Sequence, residues 1–560
     1  MKSLPRAQAV LTGAVLLLLP ALLLLLHHNK LALPTAQWDG TALDAVQALR
    51  SGSFYSDPYL IHPPLYLHLL AFFQPLFSGD WLAGARLFNF ACYALTGWVV
   101  LLLSGSLAGE KEKTAAGIAG ALLYLTSPLA LQGIFLLDLG DTSLIPLAAG
   151  LYFLHGSAPG PAGLAAAALL FAVNLWAKLI HSLFLALAAF AQLAFSRGEG
   201  RRVLPVIIGT ALFLLSWAIY AFSNLEPGWR WAPIWYFFKE MIFNYQAQSL
   251  AAGPAEALVS KLNSAARILA WIWPLLLAWG ARLYSRGAGE GRERYFNWFL
   301  FIFLAASVLS KGTSNGFPKY HAVALPLLCS LGGAHLAGAI SGVRFAGLPA
   351  GLLAAAAAVW AGLALAGDPL YTLNYSARAA LIEGAGTGPV LLKLLLQAGA
   401  AGVGFLALFL AARRFAGKGP AAALAILAGA LAWNTAVGFR QARADYFTTY
   451  GYGTRGKAEA VAWLAEKKGG AVLGPNEFDR ELKAAGVPFL LVSDFCLNDR
   501  SCVLRTLRDA KTGFFIFGQA SNTIGQVKYY RTLTERDLGR DFASVKIGDF
   551  WIYSLGSARP

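Results

Sequence analysis

Asp39, Asp44, Asp57 and His62 crowd into the stretch Gln37 to Leu70 of a chain in which only 13% of residues are charged. That stretch follows the first hydrophobic run and turns back into apolar sequence through Pro63-Pro64. Three further groups sit at the edges of apolar runs: Asp138 and Asp141 in FLLDLGDTSL, Lys178 and His181 in NLWAKLIHSL, and Lys319, Tyr320 and His321 in NGFPKYHAVALP. Ionisable groups in such places are costly, so each is a candidate for function, although a lone Lys or Asp at the end of a span also serves as an interfacial anchor. Together the residue types suit one chemistry. A carboxylate can take the proton from an attacking hydroxyl or amine, and cations can hold the negative charge that develops on a departing phosphate. Lys178, Lys319, His62 and Arg86 are the candidate cations. A phosphate leaving group is already ionised and needs no general acid, which sets this collection apart from a hydrolase with its acid and base. A sugar joined to a polyprenyl phosphate is a donor of this kind, with its phosphate at headgroup level and its tail between helices.

The scaffold that must hold these residues is read from composition. Of 560 residues 57% are hydrophobic, against about 45–50% apolar in soluble domains, and the mean hydropathy is +0.56. The chain is expected to be an α-helical polytopic membrane protein. A bilayer core takes about 20 apolar residues per helix. Windows of that kind fall near 8–26, 84–106, 114–136, 142–156, 162–177, 179–196, 203–222, 264–283, 295–310, 319–340, 347–366, 389–411 and 419–438, which predicts about thirteen transmembrane helices. The first, Gln8 to Leu26, is longer than a usual signal-peptide core and lacks a small-x-small cleavage site before His27, so it reads as a retained span.

The net charge of +16 does not point to nucleic acid, because the basic residues lie in short clusters between apolar runs, as in cytoplasmic loops. With the N-terminus inside, the inner loops hold Lys111 and Lys113; Arg197, Arg201 and Arg202; Arg282, Arg286, Arg292 and Arg294; Arg344; and Arg413, Arg414 and Lys418. An odd number of spans then leaves the C-terminal region on the outside, with the Asp39 loop. The expected division is a transmembrane domain over 1–439, with extracytoplasmic loops 27–80 and 223–264, followed by a soluble extracytoplasmic α/β domain over 440–560. Short strand-like runs (AVLG, PFLLVSD, GFFIFG, FWIYSL) alternate there with amphipathic stretches such as KAEAVAWLAEKK. The aromatic-rich WRWAPIWYFFKEMIFNYQ suits a helix lying in the membrane interface, or an aromatic belt with no role in a site. Cys92 and Cys329 sit in apolar runs as packing residues, whereas Cys496 and Cys502 can form a small-loop disulfide if their region is extracytoplasmic. No Walker loop, GxGxxG, HExxH or GxSxG motif stands at a credible position.

Several of these pieces fall in a familiar order. Asp39 is followed by AVQALRSG, then the HPPLY turn from His62 to Tyr66, Asp-Thr-Ser at Asp141, Lys178 at a break between hydrophobic windows, KYHAVALPLL, and a C-terminal extracytoplasmic domain. The layout resembles the membrane glycosyltransferases of the C-type superfamily, in the bacterial branch related to protein O-mannosyltransferases and to the aminoarabinose transferase that modifies lipid A. The resemblance implies a location in the bacterial cytoplasmic (inner) membrane and an inverting transfer of a sugar from a polyprenyl-phosphate donor to a lipid, glycan or protein acceptor at its outer face. It further implies Asp39 as the catalytic carboxylate, Asp141 or alternatively Asp138 as the second acid, and Lys178 and Lys319 facing the donor phosphate, with Tyr320 beside them. His62 stands where some members have Lys before Pro-Pro, which implies a weaker, pH-dependent cation. Asp39-Gly40 replaces the Asp-Glu of many relatives, so a divalent metal is an open question and no cofactor is assigned. The rival expectation is a transporter or flippase of a lipid-linked sugar; transporters often carry internal repeats, and the chain has no evident one.

Overall fold

The computed structural model describes residues 6–35, 39–52, 63–76, 80–137, 143–156, 160–195, 200–236, 272–285, 291–309, 318–341, 387–413, 418–443, 455–467, 469–475, 478–490, 500–509, 511–518 and 524–558. The chain forms two compact units. One takes Met1–His28, Asp44–Gly367 and Gly399–Arg440; the other takes Asn29–Leu43, Asp368–Ala398 and Gln441–Pro560.

The helices of the first part of the chain are α1 (Arg6–Gly13), α2 (Leu19–Leu26), α3 (Asp39–Ser51), α4 (Leu65–Phe73), α5 (Trp81–Ser106), α6 (Lys113–Leu125), α7 (Pro128–Ile134), α8 (Leu144–Gly156), α9 (Pro161–Ala177), α10 (Leu179–Phe195), α11 (Leu204–Asn224) and α12 (Ala232–Tyr236). There follow α13 (272–285), then α14 (Gly291–Leu309), α15 (Leu325–Ile340), α16 (Thr387–Arg413) and α17 (Lys418–Arg443). Trp81–Ser106, Gly200–Asn224 and His321–Ile340 are long and apolar enough to cross a membrane, and eight shorter apolar helices accompany them among the described residues. Of the expected windows, 347–366 lies outside those residues. Along one face of α11, Ile208, Leu212, Leu215, Ile219 and Phe222 are exposed, the kind of surface that lipid covers.

Close helix contacts in lipid need small residues, because apolar side chains gain little by leaving apolar tails. The α5, α6 and α15 trio follows that rule. A Cβ on Gly333 would stand 2.5 Å from Gly120 N, and one on Gly120 would stand 2.8 Å from Ser104. Ser104 Oγ lies 2.7 Å from Ala116 O and 3.0 Å from Ser330 O, so its one proton joins α5 to a neighbour on either side. The window 114–136, expected as one span, is instead broken. Helix α6 stops at Leu125, and α7 opens on Pro128, whose ring removes a backbone donor and turns the preceding residue away from the helical region. Between windows 162–177 and 179–196 the chain breaks at one residue, Lys178, which is extended at φ −163° and ψ 122°.

The second unit carries α18 (Lys457–Lys467), β1 (Ala471–Leu473), α19 (Asp479–Ala484), β2 (Phe489–Leu490), α20 (Arg500–Arg508), β3 (Thr512–Gly518), α21 (Ile524–Arg531), α22 (Glu535–Leu538), β4 (Arg540–Ile547) and β5 (Phe550–Ala558). Its sheet has the order β2-β1-β3-β5-β4, with β1 parallel to β2 and β3, and β5 antiparallel to β3 and β4. Side chains alternate across a strand, and β3 is apolar at successive positions, so both its faces are covered. Phe514 and Ile516 pack with Ala460, Leu464 and Leu482 of α18 and α19. Phe515 and Phe517 pack with Val503, Leu507, Val527 and Tyr530 of α20 and α21. The result is a three-layer α/β unit. Arg540 is buried and donates from Nη1 to Thr512 O at 2.6 Å and Asp509 O at 3.0 Å, and from Nε to Gly556 O at 2.7 Å, tying the antiparallel edge to the loop before β3. Cys502 on α20 is disulfide-bonded, Cys92 and Cys329 are free and buried, and Cys496 lies outside the described residues.

Candidate active site

Helix α9 ends because Lys178 adopts strand-like dihedrals, while its N–H still closes on Asn174 O at 2.7 Å. The break places Lys178 at the end of one apolar helix and His181 in the first turn of the next. Both side chains are buried, each 3% exposed. A third basic side chain arrives from elsewhere. His321, on the 3-10 turn Pro318–Ala324 that leads into α15, is also buried. The two imidazoles flank one ring: His181 lies 6.5 Å and His321 6.4 Å from the centroid of Phe303, the latter edge-on. Phe303 is fixed in turn by Phe299, stacked at 5.6 Å, and by Phe184 at 5.3 Å. Three helical segments thus bring Lys178, His181 and His321 into one apolar surround, and all three groups can carry positive charge.

A second assembly lies on α5. Arg86 and Asn89 are one turn apart and fully buried. Arg86 donates from Nε to Phe135 O at 2.9 Å, and Asn89 donates from Nδ2 to Leu136 O at 3.3 Å. Asn89 Oδ1 accepts from Tyr66 at 2.7 Å and from Ser143 at 2.9 Å. Residues 135, 136 and 143 bracket the segment that contains Asp138 and Asp141, so α5 grips that segment at both ends. Arg86, expected as a phosphate ligand, is therefore also a backbone clamp. His27, buried, stacks at 6.0 Å on Phe135 and bonds Leu23 O through Nδ1 at 2.9 Å.

In the second unit, Asp39 is 1% exposed and opens α3, where a carboxylate is favoured by the helix dipole. Ala42, Leu43, Ala45 and Val46 make the buried face of that helix. Lys30, nine residues earlier, is buried too. Asp138, Asp141 and His62 lie outside the described residues, as do the side chains of Lys319 and Tyr320. Among the described residues no three His, Cys, Asp or Glu side chains gather to hold a metal ion.

Asn89, His27 and Lys30 do not stand out among the candidate residues above, and Tyr66 does so only as the end of the HPPLY turn. Asn89 was findable, since an amide in the apolar run LFNFAC is as costly as a charge at a span edge unless it is bonded. Tyr66 and His27 carry no such mark, because aromatic and imidazole groups are common at membrane interfaces.

No protein-family model matches the chain, and no curated protein matches it. Solved structures do. ArnT from Cupriavidus metallidurans bound to undecaprenyl phosphate aligns over 97% of this chain and 98% of its own, with a TM-score of 0.57 at 15% identity. The same protein in the apo state aligns over the same shares with a TM-score of 0.55 at 15% identity. An oligosaccharyltransferase from Archaeoglobus fulgidus, in complex with Zn and sulfate, covers 97% of this chain and 73% of its own at 12% identity and a TM-score of 0.47. The chain has the ArnT fold along its whole length: a multi-pass helical membrane protein with a small C-terminal sheet.

Proposed function

We propose that this chain is an inverting glycosyltransferase that moves a sugar from a polyprenyl-phosphate donor to a lipid, glycan or protein acceptor at the outer face of the bacterial cytoplasmic membrane. The observation that carries the reading is the meeting of His181 and His321 around Phe303, with Lys178 near His181, in a fold that in ArnT holds undecaprenyl phosphate. Groups of one sign gathered in an apolar surround have the make-up of an anion site, and a lipid phosphate is an anion with an apolar tail. The basic loops, and the odd number of spans expected from the sequence, support an N-terminus in the cytoplasm and a C-terminal domain outside.

In this reading the acceptor hydroxyl or amine attacks the anomeric carbon from the face opposite the phosphate. The bond from that carbon to the acceptor forms as the bond to the phosphate oxygen breaks, and the configuration inverts. Asp39 takes the acceptor proton as general base, with Asp141, or Asp138 in its stead, as the second carboxylate. The electron pair of the breaking bond stays on the polyprenyl phosphate. Lys178 holds that charge directly, with Lys319, Tyr320 and His62 around the same phosphate. Arg86 adds positive charge, anchored to Phe135 O. A buried ammonium is a strong partner for such a leaving group because little water competes with it.

Membranes carrying the chain, supplied with a panel of undecaprenyl-phosphate sugars, test this against the transport reading. Acceptor-dependent release of undecaprenyl phosphate is expected, with the rate lowered about 10²–10⁴-fold by Asp39→Asn. Movement of intact donor across liposomes with no release contradicts the proposal, and unchanged release by Asp39→Asn removes Asp39 from its role.

A further inference from the structure

The C-terminal α/β unit has a physical link to the segment that leads into the proposed base. Lys457, the first residue of α18, is completely buried. Its Nζ donates to Thr35 O at 2.6 Å, to Thr35 Oγ1 at 3.1 Å and to Glu481 Oε1 at 3.1 Å. An ammonium has three donors, and these acceptors lie on Thr35 and Glu481. Glu481, on α19, closes the arrangement from the other side: its Oε1 accepts from Thr35 N at 3.0 Å and from the Thr35 hydroxyl. Both the N–H and the C=O of one loop residue are thus committed to a buried ion pair between two helices of the soluble unit. A second tether lies upstream, where Asn29 Nδ2 donates to Ala442 O at 3.2 Å.

Asp39 is four positions after Thr35, and four residue steps span at most about 14 Å. Fixing the backbone at Thr35 therefore limits where Asp39 and the first turn of α3 can go. We infer that Lys457 and Glu481 are positioning residues for the proposed base, and that the soluble unit orients the catalytic carboxylate through Thr35. The inference rests on Asp39 being that base. It assigns the C-terminal unit a part in the reaction step itself, apart from any part in binding acceptor. Oriented groups lose rate steeply when displaced by an ångström or so, so a loosened Thr35 is expected to slow transfer without weakening hold on the donor phosphate.

Lys457→Met and Glu481→Gln test this in the full-length protein in lipid nanodiscs, with Thr35→Val as the gentler variant that removes only the hydroxyl. Hydrogen exchange at the Thr35 amide and the first turn of α3 is expected to rise roughly tenfold in Lys457→Met, the loss of a charge-assisted bond. The transfer rate at saturating donor is expected to fall roughly tenfold, with undecaprenyl phosphate affinity within about twofold of the wild type. In an Asp39→Asn background Lys457→Met is expected to cost nothing more, since it acts through that carboxylate. An unchanged Thr35 amide in folded Lys457→Met, or a wild-type transfer rate despite a freed amide, overturns the inference. Should Lys457→Met fail to fold, a Thr35→Val protein with unaltered exchange in the α3 turn does the same. If Asp39→Asn alone transfers at full rate, the base assignment fails, while the exchange measurement still judges the tether.

Discussion

The two ends of the membrane bundle handle charge in opposite ways. At the end where α5 stops and α14 begins, charge is met by opposite charge. Arg282, only 1% exposed, makes a two-pronged bond to Glu293, Nε to Oε1 at 2.6 Å and Nη2 to Oε2 at 2.9 Å, and Nη2 also reaches Leu107 O at 3.2 Å. That arrangement pairs Nε and Nη2 of the guanidinium and ties α13 to α5 and α14. At the end where α9 stops and α10 begins, Lys178 and His181 are joined by His321, and the gathered groups share one sign. The first design holds helices together. The second gathers basic side chains at a break between two apolar helices, a place suited to meeting an anion.

Substitutions that separate stability from activity sharpen this contrast. The largest effect is expected at the paired end: Arg282→Met strands Glu293 and should cost about 3–5 kcal/mol of stability, read as a fall in thermal unfolding temperature, while the transfer rate per folded molecule holds. Next comes Lys178→Met, which should lower transfer at least about 100-fold, the scale of removing one charge-stabilising donor, in a protein that still folds. If Lys178→Met instead unfolds the protein and keeps its rate, the two ends do the same job. Asn89→Leu lies between the two kinds. It removes the amide that grips Leu136 O and accepts from Tyr66 and Ser143, and should cost roughly 1–3 kcal/mol for the groups left without it as well as transfer rate, through the Asp138–Asp141 segment.

The smallest effect is expected in the C-terminal α/β region. The Thr534 hydroxyl and amide bond to Asp537 and hold its carboxyl below the usual carboxylate range, within a capping box that opens α22. A carboxyl lowered in the folded state adds stability above its unfolded pKa, and that stability fades as pH falls through the lowered value. Asp537→Asn should therefore open the unit slightly to an acid-tolerant protease at neutral pH, with the difference from wild type vanishing in strong acid.

What could be read from the sequence follows from what composition and period encode. Apolar runs and basic loops reveal a membrane bundle, because the bilayer imposes both, and the break at Lys178 shows as a lone cation between two apolar windows. The strands of the C-terminal unit show as short β-rich runs. The break at Pro128 was there to be read in the proline, and the expected single span overlooked it. The site was legible in residue types but not in partners. Lys178 stood out by its charge, whereas the closeness of His181 to His321 depends on Phe303, which looks like any phenylalanine in a span. Lys457 opens an ordinary amphipathic helix by sequence; only the fold brings it to Thr35, more than four hundred residues away.

Equilibrium binding of undecaprenyl phosphate to the full-length protein in nanodiscs tests the central claim most directly, with wild type, Lys178→Met and Asp39→Asn side by side. The account predicts that Lys178→Met binds at least about tenfold more weakly, as for loss of a charged partner, and that Asp39→Asn binds as wild type does. Equal affinity for wild type and Lys178→Met would contradict it.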